Sequence, residues 1–335
     1  MITLFQMHLP LVEIIQVWLF LDTRRNNDMT QCGIFSAFYY IENSGFSYKN
    51  IHDFLDNMPD NINFCSIDLL VKSLDKINTR LIDRQSLALE AALKLADDGG
   101  FFDDLNKSKL SIIAGSYSSS IYPSAAFNLS VKEKGANFVN ATEFTNTVGN
   151  AAVSRACIWN QFRDEAYAIS EGVNSGLNAI VDAYNNIKYG NNNDVLACAT
   201  EEIGAAAVLI QKDPLENHRT RPVIAYIKNC DSNYTGNIME LKNYFDKIVN
   251  KFDIELKNTN IYFSGDFDKV NELFIEKNLK YNELINKNML SLTPLINIGR
   301  CLYDYENGMK KDSLIFSVDT SGFVSSVLLA KGGCQ

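Results

Sequence analysis

Histidine is scarce in this chain of 335 residues: there are three, His8, His52 and His218, and none beyond 218. His8 lies in an N-terminal extension, His52 at a polar helix start and His218 in a charged linker, so each reads as a surface residue rather than a general base. A Ser-His-Asp or Cys-His arrangement then has no base. No GxSxG elbow, GxxxxGK[ST] loop or HExxH helix occurs. The seven cysteines are odd in number and never spaced CxxC, so neither a disulfide framework nor a zinc site is indicated and a reducing cytoplasm is the expected location. There is no basic excess: 31 basic against 40 acidic residues give a net charge of −9, which argues against a nucleic-acid partner. A long apolar run is missing too. The most hydrophobic stretch, Leu9–Leu21, is interrupted by Glu13 and falls short of the ~20 residues a membrane span needs. Arg24 and Arg25 follow that stretch instead of preceding it, so it lacks the form of a secretion signal.

What remains is an ordinary globular composition, 46% apolar and 21% charged. The length suits two domains or one duplicated domain. Strand-like and helix-like segments alternate after Met29. Gly33–Ile41, Leu110–Ala114, Ala166–Ser170, Val195–Ala199, Ala205–Ile210 and Val223–Ile227 read as strands. Later strands are expected at Thr259–Phe263, Ser313–Val318 and Val324–Ala330. Helical spacing marks Ile82–Ala96, Ser175–Tyr189, Met239–Lys251 and Asp268–Lys277, with Gly190 placed as a left-handed cap. The segment Asp213–Arg221 is the most linker-like. The expected organisation is an extension over 1–28, a first half over 29–213 and a compact second half over 214–335. Alternating strands and helices give an α/β architecture with a buried mixed sheet.

Few residues offer chemistry of their own. Gly115–Ser120 (GSYSSS) could cradle an anion, and it could equally be a flexible strand-to-helix connection. Asp266 and Asp268 lack a third carboxylate nearby and read as helix N-terminal residues rather than metal ligands. No cofactor and no metal is expected.

Arg80-Leu81-Ile82-Asp83-Arg84 followed by an Ala-rich helix, the Leu110–Gly115 strand, Asn150, Arg163, Ile169–Gly176 (ISEGVNSG), Tyr189-Gly190 and Val195–Glu202 (VLACATEE) stand in an order and spacing that resemble the β-ketoacyl synthases. These are condensing enzymes of the thiolase fold. Gly322-Phe323 resembles that family's GFGG turn, with Val324 in place of the second Gly. The resemblance implies duplicated halves, each with a mixed five-stranded sheet, in an α-β-α-β-α sandwich. It also implies dimerisation, with Phe144–Trp159 on the dimer surface.

The departures from the family concern its chemistry. In this frame Val173 stands at the position of the nucleophilic Cys, at a strand-to-helix elbow where backbone N–H groups would receive an oxyanion. The two family histidines fall near Ser264 and near Leu295, so neither is present. The long excursion that the family inserts after Glu202 is absent. The chain is therefore similar to chain length factors, non-catalytic subunits that pair with an active ketosynthase and shape the acyl-chain tunnel at the dimer interface. Those often carry Gln where Val173 stands. Fatty acid, aromatic polyketide and polyene pathways all use such pairs. Acyl carrier protein would be met mainly through the partner, because carrier proteins are themselves acidic. Two alternatives stay open. One is an acyltransferase with displaced chemistry, for which Cys198 is the cysteine to test, and the other is a structural homodimer.

Overall fold

The computed structural model describes residues 31–332, apart from 42–43, 59–65, most of 67–81, 104, 213–221, 278, 281 and 284–288. The expectations for 1–28, His8, His218, Arg80 and the 213–221 linker lie outside the described residues. Eleven strands follow in order: β1 Cys32–Ile41, β2 Ser44–Ser47, β3 Ser111–Gly115, β4 Ala166–Ile169, β5 Asp194–Glu201, β6 Gly204–Lys212, β7 Ala225–Tyr234, β8 Asn260–Gly265, β9 Asn282–Glu283, β10 Ser313–Val318 and β11 Phe323–Lys331. The helices are α1 Ile51–Asn57, α2 Arg84–Asp98, α3 Ile121–Lys134, α4 Ala141–Thr145, α5 Ala151–Asn160, α6 Ser175–Tyr189, α7 Ile238–Lys251, α8 Phe267–Glu276 and α9 Leu292–Glu306.

Strand order reveals the duplication. The pairing path runs β4-β3-β5-β6-β1-β7-β11-β10-β8-β9. Leaving aside β2, which only pairs with β1, the first half β1-β3-β4-β5-β6 and the second half β7-β8-β9-β10-β11 repeat one pattern. In each, the second strand pairs parallel with the third and the fourth, the fourth pairs antiparallel with the fifth, and the fifth pairs antiparallel with the first. A short antiparallel contact, Cys32–Ile34 against Ala225–Ile227, joins the halves. Helices repeat as well: α6 lies between β4 and β5, and α9 between β9 and β10.

Three cores follow from strand alternation. On β1, Ile34, Ala37, Tyr39 and Ile41 face a central cluster with α6 and α9, which also takes Tyr262, Ile315 and Val327 from the second half. The other face of β1, with Phe35, Phe38 and Tyr40, packs on α2 and α5. In the second half Ile261, Phe263, Leu314 and Phe316 face α7 and α8. The layers are α2/α5, sheet, α6/α9, sheet, α7/α8. This is the duplicated five-layer α/β sandwich expected from the sequence.

α9 is hard to see from the sequence because its first two turns, Leu292 to Gly299, are buried all round, and its less buried positions Arg300, Tyr303 and Asp304 come only in the second half. Pro294 and Gly299 also argue against a helix, yet Pro294 sits in the first turn, where its missing N–H costs nothing. Gly190, expected in the left-handed region, is extended (φ −96°, ψ −158°), and the chain bends through 191–193 before β5.

A candidate site at the β4–α6 elbow

β4 ends at Ile169, and a single 3-10 turn, Gly172–Asn174, hands the chain to α6. This elbow packs against β8, β10, β11 and α9, so both halves converge on it. Gly172 has φ +63°, and a Cβ there would come within 2.1 Å of the Asp319 carboxylate, so only glycine fits both the backbone and the space. Gly176, in the first turn of α6, lies so close to α9 that a Cβ would meet the Ser291 carbonyl at 2.1 Å and Leu295 Cδ1 at 2.9 Å. The elbow is thus pressed into the second half from two sides.

Val173 is buried, and its backbone N–H donates to Asp319 Oδ2 at 2.9 Å. Asp319, itself buried, stands in the turn after β10; its other oxygen accepts the Ser321 N–H at 2.8 Å and the Ser321 hydroxyl. An internal carboxylate therefore occupies the side of the elbow toward which the N–H points. Ser264, near the end of β8, is register partner to Ser317 on β10, two residues before Asp319. Leu295 is fully buried on α9, and its carbonyl accepts the Tyr39 hydroxyl at 2.8 Å. Val173 lies on the elbow, which packs against the strand that carries Ser264 and the helix that carries Leu295.

The GSYSSS loop is already filled. Glu201, at the end of β5 and wholly buried, accepts the Tyr117 N–H at 2.5 Å, the Ser118 N–H at 3.4 Å, the Ser118 hydroxyl at 2.8 Å and the Ser291 hydroxyl. Two backbone N–H groups and a hydroxyl of the loop are spent on this side chain, while the Ser116 N–H goes to the Ile169 carbonyl and the Ser119 N–H to Ser116 Oγ. Burial raises the Glu201 carboxyl above its ordinary range, against the pull of those donors. The motif residues Asp83 and Arg84 serve as ties. Asp83 caps α2 by accepting the Ser86 N–H at 2.9 Å and pairs with Arg155 of α5, while Arg84 pairs with Glu202 at 3.2 Å. Asn150 and Arg163 are exposed. Asp268 lies in the first turn of α8. Among the described residues no cluster of His, Cys, Asp and Glu could hold a metal ion.

Cys198 is fully buried on β5, and desolvation pushes its thiol up. Burial raises the other described cysteines as well: Cys32 and Cys301 to about 12, and Cys157 and Cys230 in the same direction. A thiolate is needed for attack, and none of these sites favours one.

The sequence places Phe144–Trp159 on a dimer surface, and the structure divides that segment. Ala152, Val153 and Ala156 of α5 pack inside the chain in the cluster with α2, and Ala151 is buried as well. Phe144, Val148 and Ile158 are exposed. A broader apolar surface lies alongside: α3 buries no residue at all, and Ile121, Tyr122, Leu129 and Phe138 are all exposed. β4, the end strand of the sheet among the described residues, alternates between exposed and half-buried positions and pairs with β3.

No protein-family model matches the chain, and no curated protein matches it in sequence. Solved structures do match. The ishigamide ketosynthase/chain length factor superposes with TM-score 0.75 at 12% identity, over 90% of this chain and 100% of that one. The fold is that of the β-ketoacyl synthases. The complex AntDE:AntF, a type II polyketide synthase acyl-carrier protein with its ketosynthase bound to the hexaketide, gives 0.73 at 13% identity, over 90% and 99% of the two chains. A β-ketoacyl synthase from Burkholderia phymatum gives 0.69 at 12%, over 90% and 100%. No helix among the described residues is long and apolar enough to cross a membrane.

Proposed function

We propose that the chain is a chain-length-factor-like subunit: it pairs with an active β-ketoacyl synthase, walls part of the acyl-chain tunnel, and performs no condensation itself. The observation that carries this reading is the elbow. It keeps the strand-to-helix turn on which a ketosynthase fold would mount its nucleophile, yet the side chain there is the isopropyl group of Val173. Its N–H, which would stabilise an oxyanion, is taken by Asp319. Where two histidines would complete the chemistry stand Ser264 and Leu295, a hydroxyl and an alkyl group with no basic nitrogen.

The partner would cover Ile121, Tyr122, Leu129, Phe138, Phe144 and Val148 and extend the sheet at β4. An apolar surface of this kind marks an interaction site rather than a solvated face. Its acidic charge suits a subunit that leaves acyl-carrier-protein docking to its partner.

The acyltransferase alternative loses support because every described cysteine is pushed toward the thiol form. A homodimer remains the competing assembly, and native mass spectrometry separates the two. Copurification of the tagged chain with a ketosynthase that retains its Cys and His residues, in 1:1 ratio, supports the proposal. A symmetrical dimer of this chain alone refutes it.

A further inference from the structure

We propose that the elbow encloses ordered water, held by Asn174, Ser264 and Ser317. Asn174 is completely buried, yet neither its amide nitrogen nor its amide oxygen has a hydrogen-bond partner. Ser264 and Ser317 are buried as well, and their hydroxyl oxygens also lack partners. These two serines are register partners across the parallel β8–β10 pair. Alternation along the strands puts them on the face that carries Tyr262 and Ile315, which pack into the central helical layer. The elbow that bears Asn174 packs on both strands. The three residues thus lie on elements that pack together where β8 and β10 end and α6 begins, with the two serines side by side.

Other polar groups at the elbow are already committed. The Val173 N–H goes to Asp319, Ser175 Oγ donates to the Gly172 carbonyl at 2.8 Å and accepts the Glu171 N–H at 2.7 Å, and Asn178 binds Ser325 and Glu171. Among the described side chains of the elbow and of the facing ends of β8 and β10, Asn174, Ser264 and Ser317 are left over. A primary amide supplies two donors and an acceptor, and each hydroxyl supplies one donor along with acceptor capacity. Groups buried this deeply are nearly always satisfied, by protein or by solvent. Water both donates and accepts, and a buried molecule typically makes about three bonds, so the amide and the two hydroxyls supply partners enough for one. An anion is excluded by the adjacent Asp319 carboxylate. The inference is independent of the chain-length reading, since it concerns only what fills the elbow.

The test is a crystal structure of the full chain, finer than about 2 Å, for the wild type and for the double variant Ser264→Ala/Ser317→Ala. In the wild type an ordered solvent peak is expected within about 3.2 Å of an Asn174 amide atom and of at least one serine Oγ. In the double variant that peak disappears or moves off the alanine side. An Asn174 amide bonded only to protein atoms with no solvent beside it overturns the proposal, and so does a peak unmoved in the double variant. Should the variant fail to fold, the wild-type map decides alone.

Discussion

The Val173 N–H and the Asp319 carboxylate, 2.9 Å apart, join the two halves of the molecule at the point where the first half presents its elbow. The bond is charge-assisted and buried, so its removal leaves an N–H without a partner. Asp319→Ala is expected to destabilise the fold by about 2–3 kcal/mol, and Asp319→Asn, which keeps an acceptor, by less. Urea denaturation of the two variants checks the order. Equal and negligible losses would mean that the contact contributes nothing.

The same bond predicts the outcome of restoring a thiol. Val173→Cys is expected to remain inactive in condensation of malonyl- and acyl-carrier-protein substrates. Its N–H stays occupied, and no histidine is supplied. The assay is product formation by the isolated variant, and turnover above background would contradict this account of the elbow.

Gly176 gives a steric prediction. A methyl group there would overlap the Ser291 carbonyl, a backbone atom that cannot rotate away. Gly176→Ala should therefore cost about 2–4 kcal/mol, well above the change that helix propensity alone would bring, which has the opposite sign. Thermal denaturation reads this directly.

Glu90 sets a pH dependence. It is buried on α2, where Asn160 donates to it at 2.6 Å, and desolvation raises its pKa from 4.5 to about 7. The unfolded chain gives up this proton first as pH rises, so the contribution to stability is complete below about pH 4.5 and is lost on passing through 7. Glu90→Gln should flatten that slope and raise stability at pH 8 by about 1–3 kcal/mol. Denaturant titrations at pH 5 and pH 8 supply the comparison.

Much of this molecule is legible in its sequence, and the illegible parts have common causes. α6 and β10 run over the residues that periodicity picks out, because α6 has one apolar stripe and β10 is a short β-rich run between turn residues. α9 escapes because its first two turns are buried all round and hold Pro294 and Gly299, which read as helix breakers. α3 escapes for the opposite reason: none of its residues is buried, so it has no core-facing stripe to detect. At the elbow, position 173 and its valine are reached through the resemblance to the β-ketoacyl synthases, whose frame places its nucleophile there. Asp319 is not, since it lies 146 residues away and approaches only through the second half of the fold. The GSYSSS loop misleads in a similar way, because its glycine and serines look available until β5 brings Glu201 to them.

The central claim, that this chain supplies a surface and not a reaction, is tested most directly by isolating it with its partner. Tagged wild-type chain and the variant Leu129→Asp/Phe144→Asp, both altered residues being exposed, would be purified from their native background. The wild type is expected to bring down a ketosynthase with intact Cys and His at 1:1. The variant should stay folded and lose it, and neither should condense substrates when free of the partner. Condensing activity in the wild-type chain alone would contradict the account.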